Sequence, residues 1–484
     1  MTTIKLDPGA ALLLDALHGA GHAAYAVGGC VRDSLLGLDP HDWDLCTSAR
    51  PEQVMALFGE EKCIPTGLQH GTVTVKQGGR LYETTTFRTE GAYSDGRHPD
   101  AVCFVPDVRE DLARRDFTIN AMAYSAEEGL IDPFGGRDDL AAHLVRAVGE
   151  PERRFEEDAL RILRLYRFAA RFGFAIDPAT GAAARALGPH LDCVSAERIQ
   201  EELLKLLAAS RPGSYLEPAV LAVILPELEP EKQPERFAEL CRTIDRIKPT
   251  AENVPARLAA LLCPLGEAGA RKALRKLKCS NALTDEVTAL EREAGGGAGS
   301  FLLGHEFELR HPADALCLER HSHPAGRCPN SNSLFPPQAA VVAVAGHSIA
   351  RPIACGNRVP PQRTVLGETP GTPNTTLTVQ AKRLLGRYEL QTIQRLTALC
   401  SARHPEQTGA LAALRAEAER LTAENACCRV SQLAVNGRDL MAAGVRPGPG
   451  LRQVLNALLE AVITGQTPNE KDALLAAAAQ FSAS

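Results

Sequence analysis

The stretch YAVGGCVRDSLLGLDPHDWDLCTSA, residues 25–49, constrains this chain more than any other. Tyr25 to Val27 reads as a strand, Gly28-Gly29 as a turn, and a helix is expected from near Val31. Two glycines at a strand-to-helix turn let backbone amides approach a phosphate closely, and a helix start adds partial positive charge. Arg32, one turn in, can fork onto phosphate oxygens. Ten residues later comes Asp42-Trp43-Asp44, in a strand-like stretch where alternate residues share a face. Two carboxylates on one face repel each other unless a cation compensates. Mg²⁺ favours such hard oxygen donors, and two ions about 4 Å apart can clamp both oxygens of an in-line displacement. Trp43, the only Trp of the chain, should face the other way and pack.

The surrounding residues set the frame. TVTV (72–75), LYETTTF (81–87) and VCFV (102–105) are strand-like, and Asp7 or Ser34 is suited to cap a nearby helix. From about 151 the pattern turns helical, in RFEEDALRILRLYRFAARF, in SAERIQEELLKLLAAS with Ser195 as N-cap, and in later segments. The helical pattern fails over 301–378, a Pro- and His-rich stretch poor in acidic residues. Either this segment buries too little apolar surface to order itself, or its coding sequence is read in a shifted frame; the other reading frames would decide. The His and Cys residues here, His305 to Cys328, match no standard zinc spacing.

A formal net charge of -6 excludes a chain-wide basic coat, so nucleic-acid contact must come from local patches. No apolar run approaches the ~20 residues of a membrane span, and the N-terminus lacks the features of a signal peptide. The 14 Cys include no CxxC pair and read as reduced thiols, which points to the cytoplasm.

GGxVRD followed by DxD resembles the nucleotidyltransferase head of the DNA polymerase β superfamily. More narrowly it resembles the class II tRNA nucleotidyltransferase and poly(A) polymerase family. TGLQHGTVTV (66–75), ETTTFRTEGAYSDGRHP (83–99), RRDFTINAMAY (114–124), DPFGG (132–136), RFEEDALRILRLYRFAARFGF (154–174), SAERI (195–199) and NGRDLM (436–441) follow in the family's order. The resemblance implies an α+β fold: a nucleotidyltransferase head with a small mixed sheet (1–150), then an all-helical neck that recognises the base (151–210), body (211–300) and tail (379–484), with 301–378 unmatched.

It also implies roles. Asp42 and Asp44 match the catalytic pair that binds Mg²⁺, with Glu83 either a third carboxylate or a plain strand residue. Gly29 and Arg32 match triphosphate contacts and Arg115 a further nucleotide contact, whereas Asp116 is either a ribose contact or structural. Asp158 and Arg161, three apart on an expected helix, match the pair that selects C and A by their edge groups, and Arg164 and Arg167 match further nucleotide contacts. Gly96–Pro99 lies in a loop whose motion would help the switch from CTP to ATP. The implied partners are tRNA, CTP and ATP, with neither DNA nor membrane, and the implied reaction is CCA addition to tRNA. The alternatives are a poly(A) polymerase, an enzyme adding only CC or only A, and an inactive tRNA-binding relative. Two basic clusters, Arg271 to Lys278 and Lys382 to Arg387, are candidate tRNA contacts.

Overall fold

The computed structural model describes residues 3–90, 102–295 and 375–481. The loop residues Gly96–Pro99 and nearly all of the unmatched 301–378 segment, with its His and Cys residues, lie outside these. The N-terminal part contains α1 (Pro8–Gly19), β1 (Ala24–Val27), α2 (Gly29–Leu35), β2 (Leu45–Thr47), α3 (Pro51–Phe58), β3 (Cys63–Gly67), β4 (Thr72–Gln77), β5 (Arg80–Thr86), β6 (Arg88–Glu90), β7 (Val102–Phe104), α4 (Val108–Ala113), β8 (Ala123–Ser125), β9 (Gly129–Ile131), α5 (Gly136–Ala141) and β10 (Leu144–Val145). Seven strands form a mixed sheet in the order β3-β4-β5-β2-β1-β8-β9, in which β2 and β5 run parallel.

All four residues of β1, AYAV, are buried, as expected of a central strand covered on both faces. On one face Tyr25 and Val27 join Cys46, Phe87, Val108, Leu112 and Ala123 in a common core. Asp7 caps α1 by accepting from the amides of Gly9 and Ala10. Ser34 lies inside α2 and caps nothing.

The helices that follow are α6 (Pro151–Glu157), α7 (Leu160–Phe172), α8 (Pro178–Ala186), α9 (Ala196–Leu207), α10 (Pro218–Ile224), α11 (Pro234–Arg246), α12 (Val254–Leu262), α13 (Gly266–Lys276) and α14 (Asn281–Ala294). After the gap come α15 (Thr376–Arg387), α16 (Leu390–Arg403), α17 (Thr408–Ala423), α18 (Gly437–Ala442), α19 (Pro449–Thr464) and α20 (Lys471–Phe481). The neck is not purely helical: Ala175–Ile176 forms β11, which pairs in parallel with β10 across the expected boundary at 150. Ser195 precedes α9 as expected, but its hydroxyl makes no capping bond.

Among the described residues there are two compact units, one that runs from the N-terminal part through α14 and takes in 380–426, and a second that contains 427–481. The expected tail is therefore split near residue 426. In the second unit α18, α19 and α20 enclose Leu440, Leu458, Val462 and Leu474. The Asn of NGRDLM caps α18, and Asp439 bonds back to the Asn436 amide.

Arg257 of α12 is completely buried and ties neck to body. Its guanidinium donates to the carbonyls of Leu207 (2.6 Å) and Ala209, at the end of α9, and of Ile247 (2.6 and 3.1 Å), just past α11. Burying an unpaired carbonyl costs about 1–3 kcal/mol. Arg257→Met, which strands several, should lower unfolding stability by about 3 kcal/mol or more in urea melts; an unchanged midpoint would contradict the assignment.

Candidate active site

Three acidic residues come together at one end of the central strands. β2 begins at Leu45, so the Asp42-Trp43-Asp44 triplet precedes the strand instead of lying within it. The expected alternation nevertheless holds: Asp42 and Asp44 are exposed and Trp43 is buried at 6% exposure. The Asp44 carbonyl accepts from the Val27 amide at 2.9 Å, which ties the triplet to β1 just before the glycine turn.

The parallel register pairs Leu45 with Thr84, so Asp44 and Glu83, one residue earlier on each chain segment, are neighbours. Surrounding protein and then the negative charges of Glu83 and Asp42 push the Asp44 carboxyl up to about 6, while Arg115 pulls it down. Asp44 as a residue remains open to solvent, so the like-charge part of this effect is what a bound cation would cancel. Among the described residues no three His, Cys, Asp or Glu side chains close into a metal cage.

Gly28 carries the conformational burden of the turn. Its φ is +75°, and a Cβ there would lie 2.8 Å from Nη1 of Arg115. Gly29, the expected contact, is the first residue of α2. Arg115 is half-buried, bonds Asp111 at 3.3 Å, and has a buried Nε without a hydrogen-bond partner. It is the cation nearest the turn.

Arg32 is held in an internal network. It is only 3% exposed, donates to Asp33 (2.7 Å) and Asn120, and lies over the rings of Phe168 (5.3 Å) and Phe172 (4.8 Å). Its Nη2 also lies 3.7 Å from where a Cβ on Gly29 would stand, so the buried guanidinium borders the glycine turn. Asp116 is also internal: it accepts from Arg164 (2.6 and 2.8 Å), Asn120 (3.0 Å) and the Phe117 amide (2.8 Å). Burial alone would raise its carboxyl, but Arg164 and Asn120 reverse this and hold it at about 2.

Asp158 and Arg161 do not share one continuous helix. The chain breaks between α6 and α7, with extended backbone at Asp158. Asp158 becomes a local cap: its carboxylate accepts from the Leu160 amide (3.1 Å) and from Arg198 (2.7 Å). Arg161, 9% exposed, donates to Glu157 (2.7 Å) and to the carbonyls of Arg154 and Arg114. Arg167 pairs with Glu202 at 2.5 Å. Sequence reasoning left these partners unassigned: Glu157, Arg198, Glu202, Asn120 and Asp111. Arg198 stood within SAERI, but an ion pair spanning 40 residues leaves no local spacing signal.

Asp44 gives a stability prediction. Between its ordinary value of 3.8 and about 6, the folded chain keeps a proton that the unfolded chain has lost. This contribution is present at low pH and is lost as pH rises through 6. In metal-free buffer at pH 7.5, Asp44→Asn should raise Tm, and the gain should fade below pH 6. A variant melting lower than the parent at pH 7.5 would contradict the clustering of charge.

The chain is similar to known proteins over nearly its whole length. The family model described as the Poly A polymerase head domain matches residues 24–146, and that of tRNA nucleotidyltransferase domain 2 matches 381–478. The CCA-adding enzyme of Limosilactobacillus fermentum is 33% identical over 97% of this chain and 96% of its own. That of Leuconostoc citreum is 45% identical over 53% of this chain, a match spanning 63% of the relative. The crystal structure of the Bacillus stearothermophilus CCA-adding enzyme in complex with CTP superposes with a TM-score of 0.69 at 29% identity, covering 98% of both chains. With a near-full-length relative on one side and a matching head architecture on the other, the chain belongs to the family of CCA-adding enzymes.

Proposed function

We propose that this protein adds C, C and A to the 3′ end of tRNA, taking CTP and ATP as substrates, in the cytoplasm. The observation that carries the reading is the acidic group of Asp42, Asp44 and Glu83 beside the Gly28 turn and Arg115. The near-full-length likeness to CCA-adding enzymes supports it. Among the described residues no helix is long and apolar enough to cross a membrane.

The reaction is attack of the tRNA 3′-hydroxyl on the α-phosphate of CTP or ATP, with pyrophosphate leaving. Asp42 and Asp44 would hold Mg²⁺, and Glu83 fits as a neighbouring acceptor. A bound divalent ion lowers the pKa of the attacking hydroxyl and neutralises charge on the phosphoryl oxygens. Arg115, whose Nη1 lies beside the turn, is placed to receive triphosphate oxygens; the small Gly28 leaves room for it. Arg32 and Asp116 hold this wall through Asn120.

Asp158 and Arg161 select the base. Each Asp158 oxygen here has one donor, and a carboxylate oxygen accepts more than one. Arg198 therefore orients the carboxylate without exhausting it, and an exocyclic amine of C or A can add to the same group. Arg161 would exchange part of its bonding to Glu157 for the base edge. Arg164 and Arg167 flank the same helix and hold it to Asp116 and Glu202.

Two experiments test this. Asp42→Ala should cut kcat by about 10³-fold or more with little change in tRNA affinity, a loss of about 4 kcal/mol of transition-state stabilisation; near-normal turnover would reject the metal assignment. Transcripts ending before CCA, after C and after CC, each given CTP alone, ATP alone and both together, define the product. Two C additions and then one A are expected. A run of A would indicate a poly(A) polymerase, a stop after CC or an A-only product a partial enzyme, and no incorporation an inactive relative.

A further inference from the structure

Helix α13 carries an unneutralised basic face. Lys272, Arg275, Lys276 and Lys278 are all exposed, whereas Ala270, Ala273, Leu274 and Leu277 between them are buried. Positions 272, 275 and 276 stand three and four apart, so they project to one side, and Lys278 follows in the turn beyond the helix, at φ +57°.

Nearby carboxylates are already engaged. On α13 itself Glu267 pairs with Arg292 at 3.4 Å. On the adjoining α14, Asp285 pairs with Arg271 at 2.9 Å, Glu286 with Arg395, and Glu293 accepts from Tyr388 at 2.8 Å. Glu291 is buried at 3% exposure and points away from solvent. Among the described residues none of the four cations has an ion-pair partner. The helix dipole favours a cation in the last turn, which suits Arg275 and Lys276, but Lys272 stands a turn earlier. The second basic cluster is different: Lys382 is buried at 7% exposure, and Arg383 and Arg387 are engaged.

We propose that the α13 face docks the sugar–phosphate backbone of tRNA, at a distance from the reacting 3′ end. This rests on the proposed function for the identity of the RNA. Such a surface reads shape and charge, not sequence, so it should serve all tRNA species alike. Its role is to hold the body of the substrate while nucleotides are added in turn.

The test is the quadruple charge reversal K272E/R275E/K276E/K278E in the full chain, beside the milder quadruple Gln variant, with Tm measured for both. The KM for tRNA should rise about tenfold or more, with kcat and the KM for CTP within twofold. Direct tRNA binding should show a salt dependence shallower by about 0.7–0.9 in log–log slope for each phosphate that the surface no longer neutralises. The Gln variant should show a smaller shift in the same direction. Unchanged tRNA KM and slope in the folded Gln variant would overturn the proposal. Should the parent add no nucleotide yet bind tRNA with the α13-dependent salt slope, the surface stands and the proposed activity falls.

Discussion

The parallel pairing of β2 with β5 is the constraint on which the rest of the site depends. It sets Asp44 beside Glu83 with one open face, and brings both near Asp42 and Arg115. The resulting charge is poorly tolerated by the head on its own. A carboxyl held up to about 6 is one whose ionisation the protein resists until something positive arrives. The head thus gives up some stability to keep these acidic residues together.

A second constraint lies where head meets neck. Arg32, Arg164, Arg167 and Arg171 gather around the rings of Phe168 and Phe172, with Arg167 only 3.9 Å from the Phe168 centroid. Asp33, Asp116 and Glu202 supply their counter-charges. Buried charges persist where they are paired and hydrogen-bonded, and removing one partner strands the other. This network fixes α7 against α2 and α9. Arg257 extends the same connection into the body by closing the end of α9.

Much of this was legible in the sequence. The strand–Gly-Gly–helix turn needed only local chemistry, and β4, β5 and β7 followed from runs of β-branched and aromatic residues. The alternation of Asp42, Trp43 and Asp44 survived although the triplet precedes the strand. Where the reading missed, long-range pairing had overridden local pattern. Helical spacing from Glu157 through Arg161 suggested one helix, but Asp158 leaves it to cap the next and to meet Arg198. Arg32 also lies over aromatic rings 136 and 140 residues further along, a contact that no local spacing signals. The pairing of β10 with β11 across the expected domain boundary was likewise invisible, since two-residue strands carry no periodic signal.

The most direct measurement is the position of a divalent ion in crystals of the full chain grown with CTP and Mn²⁺, located by anomalous scattering. An anomalous peak against the carboxylate oxygens of both Asp42 and Asp44, with the triphosphate lying toward Arg115 and the Gly28 turn, is the predicted result. A triphosphate bound with manganese elsewhere, or with those two carboxylates free of metal, would contradict it.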